Sequence, residues 1–265
     1  MMSELPHTIR EINDLAEVDK HEIYKRLLPQ WVYEKYGINA DNPEERRNPP
    51  IIYFRCPKGS RAVEVIVKQR ATDLDPLFYI NIADTLNHQL IVLLIIVNDP
   101  DSPRYNTDFD KYGNPTQFGT ITRNIPAEIE AMKAGLAPGQ IRRGLRVFKD
   151  SLPYFEGFVK QMGHDMFFIE PLAYTNAITF ERYGFSYVKG LHEMNRIHQE
   201  FQPGGELHER LTGENPFRHP DAWQTVRGRA WAIHDGILGY PFSGLQMYKR
   251  VGIHAGVNTF PDARW

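Results

Sequence analysis

Cysteine is nearly absent: of 265 residues, Cys56 stands alone. No internal disulfide can form, and a thiolate-rich zinc module is excluded because such sites need several cysteines. A charge excess is missing too. The 31 basic residues stand against 33 acidic ones, a formal net charge of −2, so there is no global basic field for sequence-blind nucleic-acid binding. Long apolar runs are also lacking. The most apolar, Leu90 to Val97, falls far short of the roughly 20 residues a membrane-spanning helix needs. The stretch from Met1 to Arg10 is polar, without the apolar segment of a signal peptide, and the expected location is cytoplasmic. No serine nucleophile elbow, P-loop or dinucleotide fingerprint occurs. What is present is ordinary: 42% apolar and 24% charged residues, enough for a sizeable core and too apolar for a wholly disordered chain.

Periodicity divides the chain into three parts. Residues 1–50 form an N-terminal helical arm. Ile9, Ile12, Leu15 and Val18 recur at helical spacing, and Asp19 with Glu22 has the form of a capping box opening a helix at His21. Asn39 to Pro50 is a polar, proline-bearing linker. In residues 51–190, Ile51–Arg55, Val63–Lys68, Leu77–Ile82 and Leu90–Val97 have the character of strands joined by short polar links, an antiparallel meander. Leu90–Val97, apolar on both faces, is expected to be central and covered on both sides. A loop over 98–118 follows. It contains Asn106, Asp108 and Asp110, the start of a calcium-loop pattern. Lys111 replaces the required glycine, however, so a solvated turn is the better account. Helices are expected over Ala127–Ala137 and Ile141–Met162, the second kinked or divided by Pro153. Then come a strand at Met166–Glu170, a helix at Asn176–Tyr183 and a strand at Phe185–Val188. Residues 191–265 lose periodicity and form a loop-rich C-terminal extension packed on the core.

The middle part carries a recognisable order: four strands, a helix opened by Gly139-Gln140-Ile141-Arg142-Arg143-Gly144, a strand, and the segment Asn176-Ala-Ile-Thr-Phe180-Glu-Arg-Tyr183-Gly-Phe185. It resembles the GNAT superfamily of acyl-CoA N-acyltransferases over about residues 51–190. The resemblance implies a mixed α/β (α+β) fold with a central mixed sheet and flanking helices. It implies acyl-CoA, acetyl-CoA for example, as co-substrate and an amine as acceptor. Gln140, Arg142, Arg143 and Gly144 would meet the CoA pyrophosphate, since helix N-termini bind phosphate, and Asn176 the pantetheine arm. Alignment places Phe180 where the family's acid tyrosine stands, leaving Tyr174 or Tyr183 to supply a hydroxyl. Glu170, at the end of a strand beside the expected splay, is a candidate general base, or equally a carboxylate paired with an arginine.

Six of the ten histidines lie in the C-terminal extension. His234-Asp235-Gly236 interrupts an apolar run, and buried polar groups need partners, so this pair faces a cleft or a network and could reach substrate. Imidazole also ligates metals. The alternative to acyl transfer is therefore a metal-dependent enzyme holding a divalent ion with His234, His254 and Asp235. A third class is a non-catalytic protein that self-associates as a homo-oligomer through its aromatics and arm. In the first two cases the partner is a small-molecule substrate, with neither nucleic acid nor membrane involved.

Overall fold

The computed structural model describes residues 5–39, 41–42 and 50–265. Most of the linker expected between Asn39 and Pro50 lies outside the described residues. The fold is mixed α/β, with seven strands in one sheet ordered β1-β2-β3-β4-β5-β7-β6. The chain forms two compact units. The first comprises 1–101, 144–169 and 248–254; the second comprises 102–143, 170–247 and 255–265.

The first unit begins with three short helices, α1 (Ile9–Asn13), α2 (Glu17–Lys25) and α3 (Gln30–Tyr36). The capping box is not at Asp19–Glu22, because α2 already runs from Glu17, with Ala16 as its cap. It sits instead at α1, where the Thr8 hydroxyl accepts from the Glu11 amide and the Glu11 carboxylate accepts from that of Thr8. The Asp84 carboxylate accepts from the next two amides, Ile9 and Arg10, which pins α1 to the sheet. Gly37 ends α3 in the left-handed conformation that glycine adopts without strain.

Strands β1 (Ile52–Arg55), β2 (Ala62–Val67), β3 (Phe78–Asp84) and β4 (Leu90–Val97) form the expected antiparallel meander. Val63, Val65 and Val67 are fully buried, so the two-residue period sends one face of β2 into the core. β4 lies between β3 and β5 (Met166–Ile169), parallel to β5. It is not covered throughout: Leu93 is 41% exposed.

The helix expected from Ile141 starts seven residues later. This helix, α5, spans Phe148–Gln161, because Arg146 stands at φ +59°, a left-handed conformation that no helix accommodates. Pro153 lies inside α5 without dividing it. Proline removes the bond to the carbonyl four residues back, here that of Lys149 in the first turn. Phe155 on α5 packs edge-on against Phe167 of β5 at 4.7 Å, and the buried indole of Trp31 donates to the Ser151 hydroxyl.

The second unit holds α4 (Ile125–Lys133), α6 (Tyr174–Arg182), β6 (Ser186–Lys189), α7 (Leu191–Glu200), α8 (Glu206–Glu209) and α9 (Val226–His234). Strand β7 (Gln246–Arg250) completes the sheet. The region after Gly190 is thus more regular than its sequence suggests. α7 buries Met194 and Ile197, and α9 buries Val226, Ala230, Trp231 and Ile233. Ala131, Leu136, Phe217 and Trp231 form a core cluster in this unit. Among the described residues no helix is long and apolar enough to cross a membrane.

Candidate functional site

In the first unit the sheet opens at one point. The parallel ladder holds three pairs, Leu90–Phe167, Ile91–Phe168 and Val92–Ile169. β4 runs on for five more residues, to Val97, with no strand paired to it on that side among the described residues. The opposite ladder supplies the reason. Asn81 faces Leu94 while Ile82 faces Val92, so Leu93 is an extra residue on β4. A β-bulge bends its strand and raises the local twist, and bulges occur often beside active sites. Residues 93–97 therefore offer an open edge whose amide and carbonyl groups can pair with an extended ligand. Glu170, the residue after β5 and the first of the second unit's 170–247 segment, is exposed.

The N-terminus of α5 belongs to the same unit. Gly144 approaches the end of β4 so closely that a Cβ there would lie 3.3 Å from the Val97 carbonyl oxygen. No side chain caps α5 at Val147, so its first-turn amides are not satisfied by a capping group. Arg146 and Lys149 flank this end and are exposed; Asp150, also in the first turn, opposes them.

The phosphate contacts expected from the 139–144 turn are arranged differently. The Gln140 side-chain oxygen accepts from the Ala137 amide. Arg142 donates to the Ser102 carbonyl, and the Arg143 amide donates to the Ser102 hydroxyl. This turn is braced within the second unit and stands four residues ahead of the helix. Asn176 is exposed on α6. Tyr174 is buried, 1% exposed, and its hydroxyl has no hydrogen-bond partner. Burial pushes that phenol up to about 12, against the lowering influence of Arg229.

The second unit brings His234 and Asp235 into one network, as their sequence context implies. His234 is the last residue of α9, and Asp235 caps it. His234 Nε2 lies 3.2 Å from Glu128 Oε1. Arg123 grips the other Glu128 oxygen through Nε and Nη2 and reaches Asp235 Oδ1 through Nη1 at 2.9 Å. Asp235 Oδ2 accepts from Asn215 and Arg218. Burial raises the Glu128 carboxyl, but the bonds from His234 and Arg123 outweigh it and hold it below the usual carboxylate range. Glu128 is therefore ionised at neutral pH and fixes the imidazole with its proton on Nε2. The other ring nitrogen, Nδ1, has no hydrogen-bond partner among the described residues, which leaves it able to accept a proton.

A strained loop presses on this pair. Gln117, Phe118 and Gly119 have φ of +51°, +59° and +78°, a left-handed turn that costs energy at the two non-glycine positions. It sets Gly119 so tightly on the imidazole that a Cβ there would lie 2.5 Å from His234 Cε1. Glu128 and Arg123 carry no sequence signal of their own. A glutamate in an amphipathic helix and an arginine in a loop both have the look of surface residues.

The metal alternative finds its ligands committed elsewhere. Both Asp235 oxygens are held by cationic or amide donors, His234 is held by Glu128, and His254 has an interaction of its own. Among the described residues no three of His, Cys, Asp and Glu converge as a metal-holding group. In the 106–110 loop Asp108 pairs with Arg104, and Asp110 accepts from the Tyr112 and Asn114 amides, an ordinary turn. Cys56 is buried.

The features that define the chain are thus a mixed seven-stranded sheet opened at β4 and a histidine–carboxylate network. Compared with protein-family models, curated proteins and solved structures, it matches none.

Proposed function

We propose that this chain is an acyl-CoA-dependent N-acyltransferase acting on a small amine. One observation carries the reading: the bulge at Leu93 ends the β4–β5 ladder and leaves residues 93–97 as an unpaired edge between parallel strands. In open sheets ligands bind beyond the carboxyl ends of strands where the connection pattern changes, and β4 is where the antiparallel meander gives way to a parallel pair. The pantetheine arm, an extended chain with two amides, matches such an edge. The pyrophosphate fits the uncapped first turn of α5 with Arg146 and Lys149 better than it fits Gln140, Arg142 and Arg143, whose groups brace the preceding loop.

In this reading the acceptor amine attacks the thioester carbonyl, forming the amide and releasing the CoA thiolate. Glu170, exposed at the end of β5, takes the ammonium proton directly or through water. The sealed Tyr174 hydroxyl favours solvent over Tyr174 as the proton source for the thiolate. Isothermal titration with acetyl-CoA, followed by thiol release across a panel of amines, tests this. Saturable binding that weakens at least tenfold in the Arg146→Glu, Lys149→Glu double variant is expected. Absence of heat at millimolar acetyl-CoA would sink the proposal.

The Glu128–His234 pair favours a second reading, an acid–base enzyme in which His234 Nδ1 is the base and acyl-CoA plays no part. The two separate cleanly. The first loses turnover in Glu170→Gln, the second in His234→Ala.

A further inference from the structure

The second unit buries a guanidinium without a counter-ion. Arg229, on α9, is 0% exposed. Its Nε donates to the Trp223 carbonyl at 2.6 Å, and Nη1 lies 3.2 Å from His198 Nδ1. Its faces are covered by Phe260, 3.6 Å from ring centroid to guanidinium carbon, and by Phe201 at 5.2 Å. Neither Nη2 nor the Tyr174 hydroxyl makes a hydrogen bond of normal geometry, although the phenol faces the same guanidinium closely enough to interact with it. Burial and the repulsion of Arg229 both hold His198 below its usual value, so His198 is neutral and adds no negative charge. Glu181 is committed elsewhere. Its oxygens accept from Tyr187, from the Thr259 amide and from the Thr259 hydroxyl. No carboxylate among the described residues pairs with Arg229.

A buried charge without a partner is among the costliest features a fold can carry, and arginine does not shed its proton to avoid it. Two enclosed polar groups without well-formed hydrogen bonds add to that cost. Both donors belong to the same pair of side chains, and the surroundings are aromatic. From this juxtaposition we infer that Arg229 and Tyr174 hold a small monovalent anion, of the size and charge of chloride, between Nη2 and the phenol oxygen. Such an ion neutralises the guanidinium and gives both groups a partner. The inference is independent of the acyl-transfer reading and assigns Tyr174 a role that its burial permits.

The test begins with protein exchanged into potassium gluconate, compared with potassium chloride at equal ionic strength. Chloride at 100 times its dissociation constant is expected to raise Tm by roughly 5–10 °C for a chain of this size. Tyr174→Phe keeps the ring and loses one donor, and it is expected to weaken the chloride dependence by roughly tenfold. Arg229→Met is expected to abolish that dependence. Crystals of the wild-type chain grown in bromide provide a readout that needs no variant: an anomalous peak between Nη2 and the phenol oxygen. Equal Tm in both salts, a chloride effect that persists in Arg229→Met, or water in place of the bromide peak would each overturn the proposal.

Discussion

Substituting Gly119 by alanine tests whether the strained turn and the histidine–carboxylate pair form one device. At φ +78° an L-residue carries a penalty of about 1–2 kcal/mol, partly offset by about 0.4–1 kcal/mol from the stiffer unfolded chain. The added Cβ also meets His234 Cε1 at 2.5 Å, Nε2 at 2.7 Å and Glu128 Oε1 at 3.3 Å. His234 is held by Glu128, and Glu128 by Arg123, so the ring cannot turn aside without losing its bond to Glu128. A hydrogen bond to a charged group contributes about 1.5–3 kcal/mol. The expected net loss is roughly 3 kcal/mol, or about 6–12 °C in Tm. Gly113 is the internal control. It has the same backbone conformation, φ +82°, and a Cβ added there would meet nothing within 4 Å, so Gly113→Ala should cost no more than about 1.6 kcal/mol. Thermal unfolding by circular dichroism compares the two, and the imidazole proton resonances of His234 should shift only in Gly119→Ala. Equal losses in the two variants would refute the claim that the turn is packed onto the dyad.

Three further outcomes are expected. Asp235→Asn leaves Arg123 and Arg218 without their shared anion and should destabilise the fold by about 3 kcal/mol, the low end for a buried pair because both arginines retain some solvent, as read from urea midpoints. Ser151→Ala strands the buried Trp31 indole N–H and should cost about 1–3 kcal/mol, with a shift in tryptophan emission; an unchanged midpoint would mean that water replaces the hydroxyl. Acidification should destabilise the chain in two stages. Burial, chiefly, lowers the His164 value in the folded state, so the unfolded chain binds the extra proton first. The stability His164 contributes is present above its ordinary value near 6.5 and is lost as pH falls below it. Glu128, lowered in the folded state, contributes above the ordinary carboxylate range and loses its share at more acidic pH. His164→Gln should make the first stage shallower and leave the second unchanged in a stability profile from about pH 8 to about pH 4; the remainder of the first stage belongs to His198, which is lowered in the same way.

How far the sequence can be read depends on what each pattern encodes. Val63, Val65 and Val67 alternate with polar neighbours because one face of β2 is buried, and such local signals suffice to place β1 to β4. The start of α5 lies beyond their reach. Leu145 continues the apolar stripe of Phe148 and Leu152, while the left-handed backbone at Arg146 leaves no trace in residue type. α9 is hidden for an opposite reason. Gly228 has the look of a helix breaker, yet a Cβ there would stand 2.5 Å from the Ala222 carbonyl oxygen. That glycine is the condition for packing the helix against its neighbour, and only the three-dimensional arrangement reveals it. β7 is hidden because Gln-Met-Tyr-Lys-Arg has a surface composition; Lys249 is buried only because Glu156 and the Ile253 carbonyl receive its ammonium. The same rule governs the site. His234 and Asp235 stand out as titratable residues in an apolar run, a local anomaly. Glu128 and Arg123 bond each other but join the site through partners more than a hundred residues away along the chain, and residue type alone does not disclose those. Polar groups that are buried for the sake of a distant partner are where one-dimensional reading ends, and in this chain they mark both the histidine–carboxylate network and the unpaired guanidinium of Arg229.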